Sequence, residues 1–185
     1  MNMPVSPTPL MTAEAILSLD LPGKSAELVR GHLVVREPPS SHHGRIAARL
    51  TYLVSQHVYQ RELGLVFVQD TGFQIASDPD TVRAPDLAFV RRERESLVPS
   101  KGYARLAPDF VAEIVSPGDR PGELLAKVGD WLDAGVALVW VIDPERRQAR
   151  VHRADGSVAI VPAEGELTGE ELFPDFRCAL AEVFR

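Results

Sequence analysis

Positions Ile46, Leu50, Leu53, Val54 and His57 recur at three-and-four spacing, which predicts a helix over about 42–62, after the break made by Pro38, Pro39, Ser40 and Ser41. A second helical pattern, Leu124, Leu125, Val128, Trp131 and Leu132, predicts a helix over about 119–134 that Gly135 ends. Thr12 opens a short helix with Ala13, Ile16 and Leu17 on one side. Between these, β-branched runs predict a hairpin over 27–35 around Gly31-His32, and strands over 65–69, 72–76, 86–90, 109–115 and 136–142. A Pro-containing turn falls at 77–80. Segments 150–153 and 158–161, joined by Asp155-Gly156, continue as an antiparallel meander. Strands alternating with helices predict a mixed α/β sheet layered with helices. Residues 1–11, rich in proline, form a loose arm, and 12–185 form one domain.

Composition narrows the class. With 45% hydrophobic and 25% charged residues, the chain is of ordinary globular type, which excludes disordered and collagen-like readings. The longest apolar stretch, 136–142, is far short of the ~18 residues of a membrane span. The single cysteine, Cys178, fits a reducing cytoplasm and matches no zinc-ligand spacing with the five histidines. The net charge of -6 comes mostly from residues 155–185, where seven acids face two arginines. Two arginine groups stand out as phosphate contacts, Arg91, Arg92 and Arg94 in the long connection over 91–108, which has room for a helical turn, and Arg146 and Arg147 followed by Arg150 and Arg153.

Glu113 is the most informative residue, because the run Phe110-Val-Ala-Glu-Ile-Val115 is otherwise apolar. Burying an ionised carboxylate costs several kcal/mol unless a cation or donors compensate, so Glu113 calls for a metal or an arginine, or else for the exposed end of its strand. Asp86 follows Pro85 at a strand start and alone reads as a turn former. If the two strands are neighbours, about 4.8 Å apart, both carboxylates can chelate one hard cation such as Mg²⁺, with the main-chain carbonyl of Ile114 as a third oxygen ligand. Lys127 lies just beyond the apolar arc of its helix, where it either snorkels or reaches the carboxylates. Phosphate loops, dinucleotide fingerprints, nucleophile elbows and zinc-protease motifs are absent from the sequence.

Glu27-Leu-Val-Arg-Gly, His43-Gly-Arg-Ile, Pro85-Asp86-Leu, Pro108-Asp-Phe-Val-Ala-Glu113-Ile-Val-Ser-Pro117, Lys127 followed by Gly135-Val136, and Val139-Trp-Val-Ile-Asp-Pro144 together resemble the Uma family of restriction endonucleases, part of the PD-(D/E)XK nuclease superfamily. The resemblance runs from about Thr12 to Arg153. It implies a restriction-endonuclease-like fold, a mixed central β-sheet flanked by helices with additional antiparallel strands, and metal-dependent phosphodiester cleavage. Carried over by position, Asp86 is similar to the signature Asp and Glu113 to the second acid. Val115 stands where the signature lysine would be, and the resemblance moves that role to Lys127. Glu27 and His43 match lesser family positions near the site. Trp131 replaces a frequent Tyr, and Leu138-Val139 a frequent Glu-Tyr.

The expected activity is a Mg²⁺-dependent endonuclease, with Mn²⁺ as substitute, DNA as favoured substrate, and Lys127 positioning or activating the water. A homodimer is the expected assembly. The alternative is a nuclease-fold nucleic-acid-binding or regulatory protein that keeps the acids without turnover.

Overall fold

A computed structural model describes residues 9–185. The arm expected over 1–11 falls outside these residues for positions 1–8. Its last part is tied down: the Met11 N–H donates to Gly31 O at 2.8 Å. Gly31 has φ of +77°, and a Cβ there would lie 2.7 Å from the Leu10 side chain, so both the turn and the close approach require glycine.

The elements run α1 (Ala13–Leu17), β1 (Ser25–Val29), β2 (His32–Arg36), α2 (Ser41–Gln60), β3 (Gly64–Val68), β4 (Phe73–Ala76), β5 (Thr81–Arg83), β6 (Leu87–Arg91), a 3-10 turn (Arg92–Leu97), β7 (Phe110–Ile114), α3 (Pro121–Asp133), β8 (Leu138–Asp143), β9 (Gln148–Arg153), β10 (Val158–Pro162), β11 (Glu166–Gly169), β12 (Phe173–Ala179) and α4 (Leu180–Val183). Thr12 caps α1 by accepting from the Ala15 N–H, and Ser40 caps α2 by accepting from the His43 N–H.

A six-stranded sheet, ordered β10-β9-β8-β7-β6-β3, forms the centre. Only β7 and β8 pair in parallel, with α3 as the crossover between them; the other pairs are antiparallel. Every residue of β7 and β8 is buried, which is why both strands read as continuous apolar runs rather than alternating ones. One face of the sheet packs Leu87, Phe89, Phe110, Ala112, Trp140 and Ile142 against α2, α4 and the β11–β12 hairpin. The other packs Ala88, Val90, Val111, Val139 and Val141 against Val128 and Trp131 of α3. A second sheet, ordered β2-β1-β5-β4, is wholly antiparallel. No helix among the described residues is long and apolar enough to cross a membrane.

Two differences from the sequence expectation stand out. β5 occupies 81–83, directly after the expected turn, and pairs with both β1 and β4. The acidic C-terminal stretch is built around Leu167, Phe173, Phe176, Leu180 and Val183, which close the α2-side core. The connection over 91–108 does hold the helical turn expected there, as the 3-10 turn over Arg92–Leu97.

Candidate active site

β6 and β7 pair with Leu87 opposite Ala112, so the next step outward sets Asp86 beside Glu113. Side chains alternate along a strand. Ala88 and Val111 belong to the α3-side core, and Asp86 and Glu113, two residues on, start from that same face. The Ile114 N–H donates to Asp86 Oδ2 at 2.7 Å, joining the two strand ends.

α3 crosses this point with Lys127, Val128 and Trp131 facing inward. Lys127 Nζ meets three oxygens within 3.0 Å: Glu113 Oε2 at 2.9 Å, Ala84 O at 2.9 Å and Glu27 Oε1 at 3.0 Å. The Trp131 indole N–H donates to Glu113 Oε1 at 2.8 Å. Glu27, from β1, also accepts from the Ala84 N–H and from Arg83, each at 2.9 Å, and Arg83 continues to Asp130 on α3. On the other side His43 Nε2 lies 3.1 Å from both Asp86 Oδ2 and Ile114 O, while Gln69 donates to Asp86 Oδ1 at 3.0 Å. All of Glu27, His43, Gln69, Asp86, Glu113, Ile114 and Lys127 line one cleft of about 610 Å³. Seven carboxylates line it against three cationic side chains, Arg36, Arg120 and Lys127.

The family model described as "Putative restriction endonuclease", Uma2, matches residues 13–181. The chain belongs to the Uma2 family. Among solved structures, one titled as a putative nuclease belonging to DUF820 from Anabaena variabilis superposes with a TM-score of 0.80 at 17% identity, covering 94% of this chain and 97% of that one. That likeness shows the fold, a mixed central sheet flanked by helices with additional antiparallel strands, as expected from the sequence. Curated proteins gave no match.

Electrostatics in this Uma2 chain separate the two acids. Burial pushes Glu113 up to about 7, opposed by Lys127 and reinforced by the charges of Asp86 and Glu27. Burial acts the same way on Asp86, but hydrogen bonds from His43 and Gln69 and the charge of Lys127 outweigh it, and Asp86 stays below its ordinary value. Glu27 is likewise held low against burial by Lys127 and Arg83. Burial would lower His43, yet its bond to Asp86 raises it. Lys127 is driven upward by Glu113 and Glu27 against the effect of burial, so it stays an ammonium at any physiological pH.

These shifts fix a sign. Glu113 rises from an ordinary value of 4.5 to about 7 on folding, so the native state binds the extra proton in that window and its stability falls as pH rises through it. Glu113→Gln removes this slope. Urea melts at pH 4.5 and 7.5 are expected to show the variant gaining on wild type at the higher pH; a constant difference would contradict the shift.

The sequence-selected residues divide sharply. Asp86, Glu113, Ile114, Lys127, Glu27 and His43 converge. The arginines proposed for nucleic acid do not. Arg91 lies at the far end of β6 from Asp86, on the order of 16 Å along the strand. Arg91 and Arg94 approach Asp109, and Arg92 pairs with Glu62 at 2.8 Å. Arg146 follows the site-proximal end of β8 but is bound to Asp143 at 3.0 Å, and Arg147 lies over the Phe184 ring at 5.1 Å. Neither lines the cleft. Gln69, Arg83, Asp130 and the polar role of Trp131 escaped sequence reading.

Proposed function

We propose that the cleft hydrolyses nucleic-acid phosphodiesters, DNA by preference, with a bound divalent cation. The observation that carries this reading is the convergence of Asp86, Glu113 and Lys127 from three separate elements on one solvent-reached cleft. The donor set fits Mg²⁺, or Mn²⁺ in its place. Two carboxylates and the Ile114 carbonyl are hard oxygens, and each Glu113 oxygen, holding one donor, has lone-pair capacity left. No group of three or more His, Cys, Asp or Glu among the described residues forms a fuller cage. The site therefore suits an ion that keeps much of its water. When bound, such an ion supplies Lewis-acid polarisation of the phosphate and a more acidic water.

The chain's own residues do the rest. Trp131 and Lys127 fix both oxygens of Glu113, while His43, Gln69 and the Ile114 N–H orient Asp86. Lys127, held protonated, directs its donors to Glu113, Glu27 and the Ala84 carbonyl and contributes its positive charge beside the reacting phosphate; proton abstraction is not its task. Arg36 and Arg120 are the cleft's remaining cations; Arg36 lies 3.7 Å from both Glu27 and Asp119, and Arg120 is largely exposed at the rim, where it can swing from Glu123 to a phosphate. A homodimer would supply a second site where both strands are cut.

One observation favours the non-catalytic reading. Both Glu113 oxygens and all three Lys127 donor positions have protein partners, as in a purely structural network. Incubation of the purified chain with duplex and single-stranded DNA and RNA separates the two. The nuclease reading expects cleavage with Mg²⁺ or Mn²⁺ and none in EDTA. Binding without cleavage of any of these polymers would overturn it in favour of a binding protein.

A further inference from the structure

Beside the cleft, along the outer face of α2, runs a second concavity of about 710 Å³ that meets the first at Gln69 and Asp86. Gly44, Ala48, Thr51 and Ser55, spaced one helical turn apart, give it a floor of small side chains. Tyr52 and Tyr59 stand over that floor, each 55% exposed, and Val68 of edge strand β3 closes the far side. Exposed tyrosines in this number on one helix face have no role in the core.

Charge and spacing say what fits. The chain has 26 acidic residues in 185, so 20 residues would carry about three; the 20 residues of α2 carry none, and the exposed Arg45 leaves a net positive charge at the helix's N-terminal half, while the charge of Arg49 is met by Glu182. Arg45, Tyr52 and Tyr59 follow one another at seven-residue intervals and so lie along one line of the helix. The two rings are about 10.5 Å apart along the axis, room for several steps of a stacked strand at about 3.4 Å each. The Arg49 guanidinium lies 5.7 Å from the Tyr52 ring centroid and is itself anchored on Glu182, which holds the ring as a platform.

We propose that this groove is the track for an unpaired nucleic-acid strand running into the cleft, with Tyr52 and Tyr59 stacking its bases and Arg45 beside its phosphates. The proposal rests on the nuclease reading for its continuity with Asp86, and narrows the substrate to a strand whose bases are free on that flank. Base–aromatic stacking tolerates any sequence because every base has a π-face.

The test measures affinity for fluorescein-labelled (dT)12 by anisotropy in Ca²⁺, with Tyr52→Ala, Tyr59→Ala and both together. Each alanine is expected to weaken binding at least about 5-fold, and the pair about 25-fold, while Tyr→Phe restores it. An abasic strand of the same charge should bind wild type as weakly as (dT)12 binds the double variant. Equal affinity of the alanine variants and wild type overturns the proposal, as does failure of wild type to bind (dT)12. It also falls if the alanines turn a dimer into a monomer by light scattering with strand affinity intact, which would make the groove a contact between copies. Wild-type hydrolysis of bis(p-nitrophenyl) phosphate, too small to reach Tyr52, reads the chemistry separately. Hydrolysis with tyrosine-independent binding sinks the track alone; tyrosine-dependent binding without hydrolysis sinks the nuclease reading alone.

Discussion

Asparagine in place of Asp86 is expected to lower divalent-cation-dependent cleavage at least about 1,000-fold with little change in melting temperature. The substitution is isosteric, so one side-chain oxygen still accepts from the Ile114 N–H at the strand junction. What it removes is the negative charge beside the proposed cation and beside His43. Asp86 is what raises the His43 pKa against the effect of burial, so the imidazole of the variant should titrate at lower pH than in wild type, read from its NMR ring-proton shifts. Cleavage within tenfold of wild type would mean that Asp86 is not a cation ligand. A normal cleavage rate together with the shifted His43 would leave the electrostatics intact and remove the chemistry.

Lys127→Met carries the largest expected cost in stability, about 3–5 kcal/mol, because removing one partner of a buried ion pair leaves the other uncompensated. Lys127 is 8% exposed, and its ammonium is shared by Glu113 and Glu27. Glu27 keeps Arg83, so Glu113 bears most of the loss. Glu113 titrates at about 7 in wild type, and without Lys127 it moves higher still. At pH 5 it is already protonated in the native state and the variant should lose less; at pH 8 the loss should be near its full size. Equal losses in urea melts at the two pH values would show that Glu113 is not the group left unpaired.

How far the sequence reveals this site depends on contrast. Glu113 is legible because a lone carboxylate interrupts a buried strand, and Lys127 because it borders the apolar arc of α3. Trp131 reads as core, and it is core, fully buried; its indole N–H to Glu113 depends on a neighbour that helical periodicity does not report. Gln69 is a polar residue at a strand end, indistinguishable from any loop glutamine until the chain folds it against Asp86. Arg83 and Asp130 are 47 positions apart, and nothing local pairs them. The arginine clusters show the opposite error, since residues 91–94 attract attention by density and then spend their charge on Asp109 and Glu62. The β11–β12 hairpin was hidden because Leu167, Phe173 and Phe176 are scattered among acids, and only packing against α2 and the sheet gathers them.

Glu27 and the Ala84 carbonyl reach Lys127 from β1 and from the end of β5, whereas Glu113 and α3 belong with the six-stranded sheet. The proposed reactive centre is thus a seam between two independently hydrogen-bonded layers. A fluctuation that parts the smaller layer, far short of global unfolding, would strip Lys127 of two of its three anchors. Inactivation on warming should then precede loss of the main sheet, with amides of β1 and β5 exchanging hydrogen earlier than those of β7 and β8.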